Sequence, residues 1–350
     1  MCYVQIRYTK VGALSTWRVP TEDYKSSTIG LQESTNGARE ERYGHAQRPK
    51  VGANSLNETR RFGSVQVLAG SNKGAYPYGN SLLIEGSSET LLVDPSLEVA
   101  WLENPPPADC VFVSHAHEDH LAGLARYDSA HVTVHQDDLR HVQSAELRLE
   151  RYGMPPQIAR NHERELSAKF RLADSVDAVG VPDLATMDLG GTTVTVIHLP
   201  GHTRGHSGLL VEPDGFLFLA DIDLSSFGPY YGDIDSDLEA FEASIARCRD
   251  IDARWYGTFH HHGVVEGVDN FRARLDAYLA VVGRRDELIL AALSEPRTIE
   301  DILETRLLYP PHINEPYVPA IERRTTERHL SRLISRGHVD EVEPNLFRIT

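Results

Sequence analysis

The sequence predicts a mixed α+β fold, and three observations carry that reading. Short β-rich runs punctuated by Gly, Asn, Pro and Asp begin at Phe62. Two segments, at about 137–185 and 237–250, break that rhythm with apolar residues at helical spacing. After about residue 282 the pattern turns to helices separated by Pro-containing loops. Period-2 runs bounded by turn residues mark strands, whereas recurrence at three and four residues marks helices. A chain of 350 residues with 41% hydrophobic and 25% charged residues suits one large domain with appendages, or two domains, and excludes a fibrous or wholly disordered protein.

Residues 1–61 are polar, rich in Ser, Thr, Gly, Arg and Glu, and without a sustained period, so they read as a disordered extension. A main domain over 62–282 follows. Its expected strands are SVQVLAG (64–70), NSLLIEG (80–86), TLLVD (90–94), CVFVS (110–114) and HVTVH (131–135). The helical segment at 137–185 comes next, and then TTVTVIHLP (192–200), GLLVE (208–212), GFLFLAD (215–221) and RWYGTFH (254–260). Between the last two strands, DLEAFEASIARCRD (237–250) sets Leu238, Phe241, Ile245 and Cys248 on one helix face. The remainder, 283–350, holds ELILAAL, TIEDILETRL and a basic helix before HVDEVEPNLFRIT, and reads as a small winged-helix-like module.

Composition narrows the function. The formal net charge of −16 opposes non-specific attraction to phosphate backbones, so nucleic acid is disfavoured as a partner. Cys2, Cys110 and Cys248 are far apart and form no CxxC pair, which excludes a disulfide framework and a thiolate zinc site. No continuous apolar stretch of signal-peptide or membrane-spanning length is readable, so a reducing cytoplasm without membrane attachment is expected.

The residues that carry chemistry stand at strand ends. His115, His117, Glu118, Asp119 and His120 follow directly on CVFVS, and three imidazoles with two carboxylates on one turn are costly unless a divalent cation engages them. Alternation along the turn would send His115 and His117 toward one centre and Asp119 and His120 toward another, so two adjacent ions are expected. His202 in LPGHTRGH, Asp221 in FLFLADID and the run His260, His261, His262 after RWYGTF come next, each also after an apolar strand.

HAHEDH, PGHTRGH, LADID and FHHHG, in this order, resemble the motifs of the metallo-β-lactamase superfamily over roughly residues 62–282. The resemblance implies a four-layer αββα sandwich with a metal site at one edge. It further implies that His115, His117 and His202 hold one ion, that Asp119, His120 and a late histidine hold the second, and that Asp221 bridges them. Strand length favours His260 for the late ligand, with His261 close behind and His262 as an exposed neighbour. Asp94 in LLVDPS matches an aspartate that orients the site. His206 is expected to support its loop, and Glu118 to be a solvated or supporting carboxylate.

The expected cofactor is a pair of divalent ions, zinc first, with iron or manganese as alternatives. The expected activity is hydrolysis of a small-molecule ester, thioester or lactone by a metal-bridging hydroxide that Asp119 both ligates and orients. No GxSxG elbow offers a serine nucleophile instead. A phosphodiesterase or endoribonuclease, a one-iron sulfur dioxygenase and a winged-helix DNA-binding regulator are the alternatives. The 39-residue spacing from Asp221 to His260 leaves no room for the inserted domain of RNA-processing members. The tail holds ten arginines against twelve acidic residues, so Arg324, Arg328, Arg332 and Arg336 are expected to form a solvated face paired with Glu322 and Glu327. That tail would shape the active-site rim or a homo-oligomer. Tyr230 and Tyr231 either meet substrate or pack their loop.

Overall fold

The computed structural model describes residues 7–10, 13–14 and 59–350. Arg7–Lys10 (β1) and Ala13–Leu14 (β2) form a short antiparallel pair, so the extension expected to be disordered contributes strands where it is described. The rest of that expectation, up to residue 58, lies outside the described residues.

The first sheet runs in chain order through Arg60–Phe62 (β3), Val65–Leu68 (β4), Ser81–Glu85 (β5), Thr90–Val93 (β6), Cys110–Val113 (β7), His131–His135 (β8) and Val179–Val181 (β9). Its first four strands are antiparallel and its last four parallel. The second sheet comprises β1 and β2 together with Ala185–Asp188 (β10), Thr193–His198 (β11), Ser207–Glu212 (β12), Phe216–Phe218 (β13), Trp255–Gly257 (β14) and Val264–Glu266 (β15). They are ordered β15-β14-β13-β12-β11-β10-β1-β2.

Alternation along the strands explains the layering. Leu82, Ile84, Leu91, Val93 and Phe112 of the first sheet share one buried cluster with Val194, Val196, Leu209, Phe216 and Phe218 of the second. The intervening residues point the other way. Leu83, Leu92 and Val111 pack outward with Val99 and Leu121. Those two belong to the helices Leu97–Trp101 (α1) and Glu118–Leu121 (α2). On the opposite side Leu217 and Ile197 pack outward with Leu238, Phe241, Ile245 and Cys248, the face expected from the helical spacing. Two packed sheets between helices make the α+β sandwich.

The segment at 137–185 is helical only in part. Leu139–Gln143 (α3), Ala145–Glu150 (α4) and Pro156–Phe170 (α5) are helices, but its end supplies β9 and the start of β10. Leu238–Arg249 (α6) agrees with the sequence reading, with Asp237 capping it by accepting from Ala240 N–H. Val268–Ala292 (α7) runs unbroken through the boundary expected at 282/283. Beyond it, Ile299–Leu303 (α8) and Val318–Ser335 (α9) pack with a three-stranded sheet of Arg297–Thr298 (β16), Val339–Glu343 (β17) and Leu346–Ile349 (β18). Among the described residues no helix is long and apolar enough to cross a membrane.

Of the four arginines expected to form a solvated face, Arg336 at the C-cap of α9 is exposed, but Arg324, Arg328 and Arg332 are not solvated. Arg328 donates to the carbonyls of Tyr231, Asp233 and Ser236, and Arg324 to those of Gly232 and Tyr152. Arg332 pairs with Glu242 and Asp286. Glu322 is buried and accepts the backbone N–H groups of Leu307, Leu308 and Tyr309. Helix α9 is therefore clamped to the sandwich, and of the named pairs only Glu327 keeps a charged neighbour on its own helix, Arg323.

Candidate metal centre

The C-terminal ends of β6, β7, β11, β13 and β14 meet at one edge of the sandwich and deliver Asp94, the 115–120 turn, His202, Asp221 and His260 there. Residues 118–121 form one helical turn with His117 at its N-cap, so the motif is extended up to His117 and helical after it. That change of period separates the side chains into two groups. His115, His117, His202 and Asp221 form one cluster of possible metal donors, and Asp119, His120 and His260 form a second.

In the first cluster His115 Nε2 lies 2.9 Å from His117 Nδ1, His202 Nε2 lies 3.0 Å from His117 Nδ1, and the two Nε2 atoms are 3.2 Å apart. Three imidazole nitrogens in a triangle cannot satisfy one another, because each ring presents one donor or one acceptor at that atom. Three nitrogens about one tetrahedral zinc at about 2.0–2.1 Å would stand about 3.3 Å apart, which matches the triangle. Asp221 joins the clusters: its Oδ2 is 3.3 Å from His202 Nε2 and its Oδ1 is 3.1 Å from His120 Nε2. In the second cluster His260 Nε2 lies 3.1 Å from Asp119 Oδ2.

A metal fits this arrangement on the structure's own terms. Asp119 Oδ2, His120 Nε2 and Asp221 Oδ1 are buried without a hydrogen bond of acceptable geometry, despite the short approaches just given. Buried polar atoms are rarely left so. Burial and the neighbouring imidazoles push the His115 pKa well below its ordinary value, whereas the carboxylates around His117, His120 and His260 push theirs up.

Every imidazole is also fixed from behind. His120 Nδ1 lies 2.9 Å from Asp94 Oδ2, whose other oxygen accepts from Ser114 N–H. His117 Nε2 lies 2.7 Å from Asp233 Oδ2, and His115 Nδ1 lies 3.1 Å from Ser114 Oγ. His202 Nδ1 donates to the Tyr230 carbonyl, and His260 Nδ1 to those of Gly74 and Tyr78. Such partners set the tautomer and aim the opposite nitrogen. Asp94 thus takes the orienting place expected for it, and His206 supports its loop by donating to Leu199 O and accepting from Asp221 N–H. His261 is 43% exposed at its side chain and His262 accepts and donates elsewhere, leaving His260 as the histidine of the run that joins the cluster.

For two residues the structure decides between the alternatives the sequence leaves open. Glu118 is buried, not solvated, and accepts the phenols of Tyr76 at 2.9 Å and Tyr152 at 2.5 Å. Tyr231 is fully buried against His329 and Arg285, so it packs the loop, while Tyr230 lines the cavity.

The sequence reading missed two carboxylates. Asp138 accepts from Ala116 N–H, Thr203 Oγ1 and Gly205 N–H and pairs with Arg151 at 2.7 Å, tying the first histidine turn to the His202 loop. Burial opposes its charge, yet the Arg151 guanidinium and these bonds hold it well below the usual carboxylate range. Gly205 is small for this reason, since a Cβ there would come within 2.6 Å of Asp138. Asp233, behind His117, sits in the 227–236 loop whose carbonyls receive Arg285, Arg324 and Arg328. A lone Asp in HQDDL or YYGDID carries no local signal, because its partners are distant in sequence.

Comparison with known proteins agrees with this architecture. A profile of the metallo-β-lactamase superfamily matches residues 76–263. A metallo-β-lactamase family protein from Thermus thermophilus superposes with a TM-score of 0.61 at 22% identity, covering 82% of this chain and 99% of that one. A β-lactamase domain protein from Burkholderia ambifaria gives 0.60 at 15% identity, covering 85% and 95%. An atrochrysone carboxyl ACP thioesterase from Pseudocercospora fijiensis is 26% identical over 121 residues. That match spans 35% of this chain and only 34% of the thioesterase.

Proposed function

We propose that this chain, a member of the metallo-β-lactamase superfamily, is a hydrolase that uses two divalent ions to cleave a small-molecule ester, thioester or lactone. The observation that carries the reading is the pair of His/Asp clusters sharing Asp221, with three buried donor atoms lacking hydrogen bonds. His115, His117 and His202 would hold one ion, Asp119, His120 and His260 the other, and Asp221 both. When bound, such ions acidify a water and polarise a carbonyl oxygen. The protein's own part is positional. Asp119 presents Oδ2 to hold and orient the proton of the attacking water, while Asp94, Ser114 and Asp233 keep the imidazoles aimed.

The donor set of imidazoles and carboxylates suits zinc first and also iron or manganese. A thioester is favoured among the bonds by the activity named for the thioesterase relative. The second cluster argues against a one-iron dioxygenase, and the clamped arginines of α9 argue against a DNA-reading face. We assign the protein to the cytoplasm on its scattered cysteines.

Elemental analysis of protein purified without chelator, read beside turnover of esters, thioesters, lactones and phosphodiesters, tests this. About two ions per chain with ester-class turnover supports the proposal; one iron with sulfur oxidation, or phosphodiester turnover alone, overturns it.

A further inference from the structure

Above the clusters lies a cavity of about 390 Å³, inside the range of about 300–1,000 Å³ that holds drug-sized ligands. His117, Asp119, His202, Asp221 and His260 form its floor. Its walls are aromatic. Phe227, Tyr309, Tyr317 and Tyr152 make a chain of ring contacts with centroids about 6 Å apart (6.0, 6.0 and 6.1 Å). Tyr76, Tyr230 and Tyr278 complete the lining with Ile321. Three parts of the chain that the sequence separates, the 137–185 segment, the 227–236 loop and the tail, meet here.

Most of the phenols are turned into the protein. Tyr76 and Tyr152 donate to Glu118, Tyr230 donates to Asp233, and Tyr278 donates to the Asp221 carbonyl. Those four offer ring surface to a ligand and no free hydroxyl. Hydrogen bonding is left to few atoms. His162 Nδ1 is buried without a partner, and among the described residues the hydroxyls of Tyr309 and Tyr317 have no protein acceptor. Away from the proposed metal ligands on the floor, the lining contains no Lys and no Arg, whereas Glu118 and Asp223 are acidic. A phosphate or carboxylate on the substrate would lose water there and find no fixed cation on the walls.

We propose that this cavity selects an uncharged, ring-bearing acyl group with at most a hydroxyl or carbonyl for His162, Tyr309 or Tyr317 to engage, and rejects anionic substrates. The proposal rests on the hydrolase reading above, and its test separates the two. Metal-loaded full-length protein is given N-acetylcysteamine thioesters that share one neutral leaving group and carry 2-naphthylacetyl, acetyl or succinyl acyl groups. The naphthylacetyl thioester should exceed the acetyl one in kcat/KM by about tenfold or more, the value expected from burying one aromatic ring. The succinyl thioester should fall below both. Phe227→Arg, at a rim position 38% exposed and near Arg285, should lower the naphthylacetyl preference and raise succinyl turnover. Tyr317→Ala should bring the naphthylacetyl preference toward unity.

Binding is read separately by the fluorescence of N-phenyl-1-naphthylamine and its displacement by neutral 2-naphthylacetamide. Bound and displaceable probe, weakened by Phe227→Arg, with no thioester, ester or lactone hydrolysed, would uphold the cavity and overturn the hydrolase. Hydrolysis with succinyl equal to or above naphthylacetyl would uphold the hydrolase and overturn the cavity. Hydrolysis without preference and without probe binding would also overturn the cavity.

Discussion

The second nitrogen of each imidazole decides what the first can do. His117 faces its cluster through Nδ1 only because Asp233 holds Nε2 at 2.7 Å. Asp233→Ala should therefore weaken metal binding by about 10–100-fold while leaving every ligand in place, measured by competition with a chromogenic chelator. The histidine run is resolved in the same way: His260→Ala should cost about one metal equivalent per chain by elemental analysis, whereas His261→Ala and His262→Ala should keep both. Asp138 acts on stability. Its folded-state pKa is depressed, so its contribution is full above the unfolded value of about 3.9 and is lost as pH falls below that. Asp138→Asn should cost about 3 kcal/mol at neutral pH, because it leaves buried Arg151 only the Asp235 carboxylate at 3.4 Å. Urea titrations should show that difference shrinking as pH drops below about 4.

Helix α9 shows how an element can be recognised while its role is hidden. Its length and arginine spacing are legible, since a period near four is a local pattern. The carbonyls that Arg324 and Arg328 reach belong to residues 92 to 97 positions earlier in the same loop, or 172 positions earlier for Tyr152, and no local pattern reports them. Strands such as β5, β7 and β11 were legible because four to six residues alternate between two buried clusters. Strands β9 and β10, of three and four residues beside Pro182 and Asp183, were not: each is too short to establish a period. Arg328→Ala should leave three loop carbonyls without their donor and destabilise the fold by about 1–3 kcal/mol. Because the same loop carries Asp233, metal affinity should fall with it, and Arg328→Lys should restore only part of each.

At the scale of the whole molecule, the residues that cluster at the sandwich edge are legible in the sequence because metal chemistry restricts residue type and strand ends restrict position. The supporting set of Asp138, Asp233, Tyr76 and Tyr152 is not, because ordinary residues acquire those roles only when the layers close. A chelator should lower the unfolding midpoint and zinc should restore it, since a ligand at a hundredfold excess over Kd stabilises the native state by about 2.7 kcal/mol. The cavity wall without Lys or Arg has a further consequence in a chain of net charge −16: it governs diffusional encounter as well as fit. Outside the reach of the ions proposed at the floor, an anionic ester approaches against the negative field of the chain, so its kcat/KM should rise between about 0.01 M and about 1 M salt, as the screening length contracts from about 30 Å to about 3 Å. A neutral aromatic ester feels no such field, and its rate should stay level across the same titration.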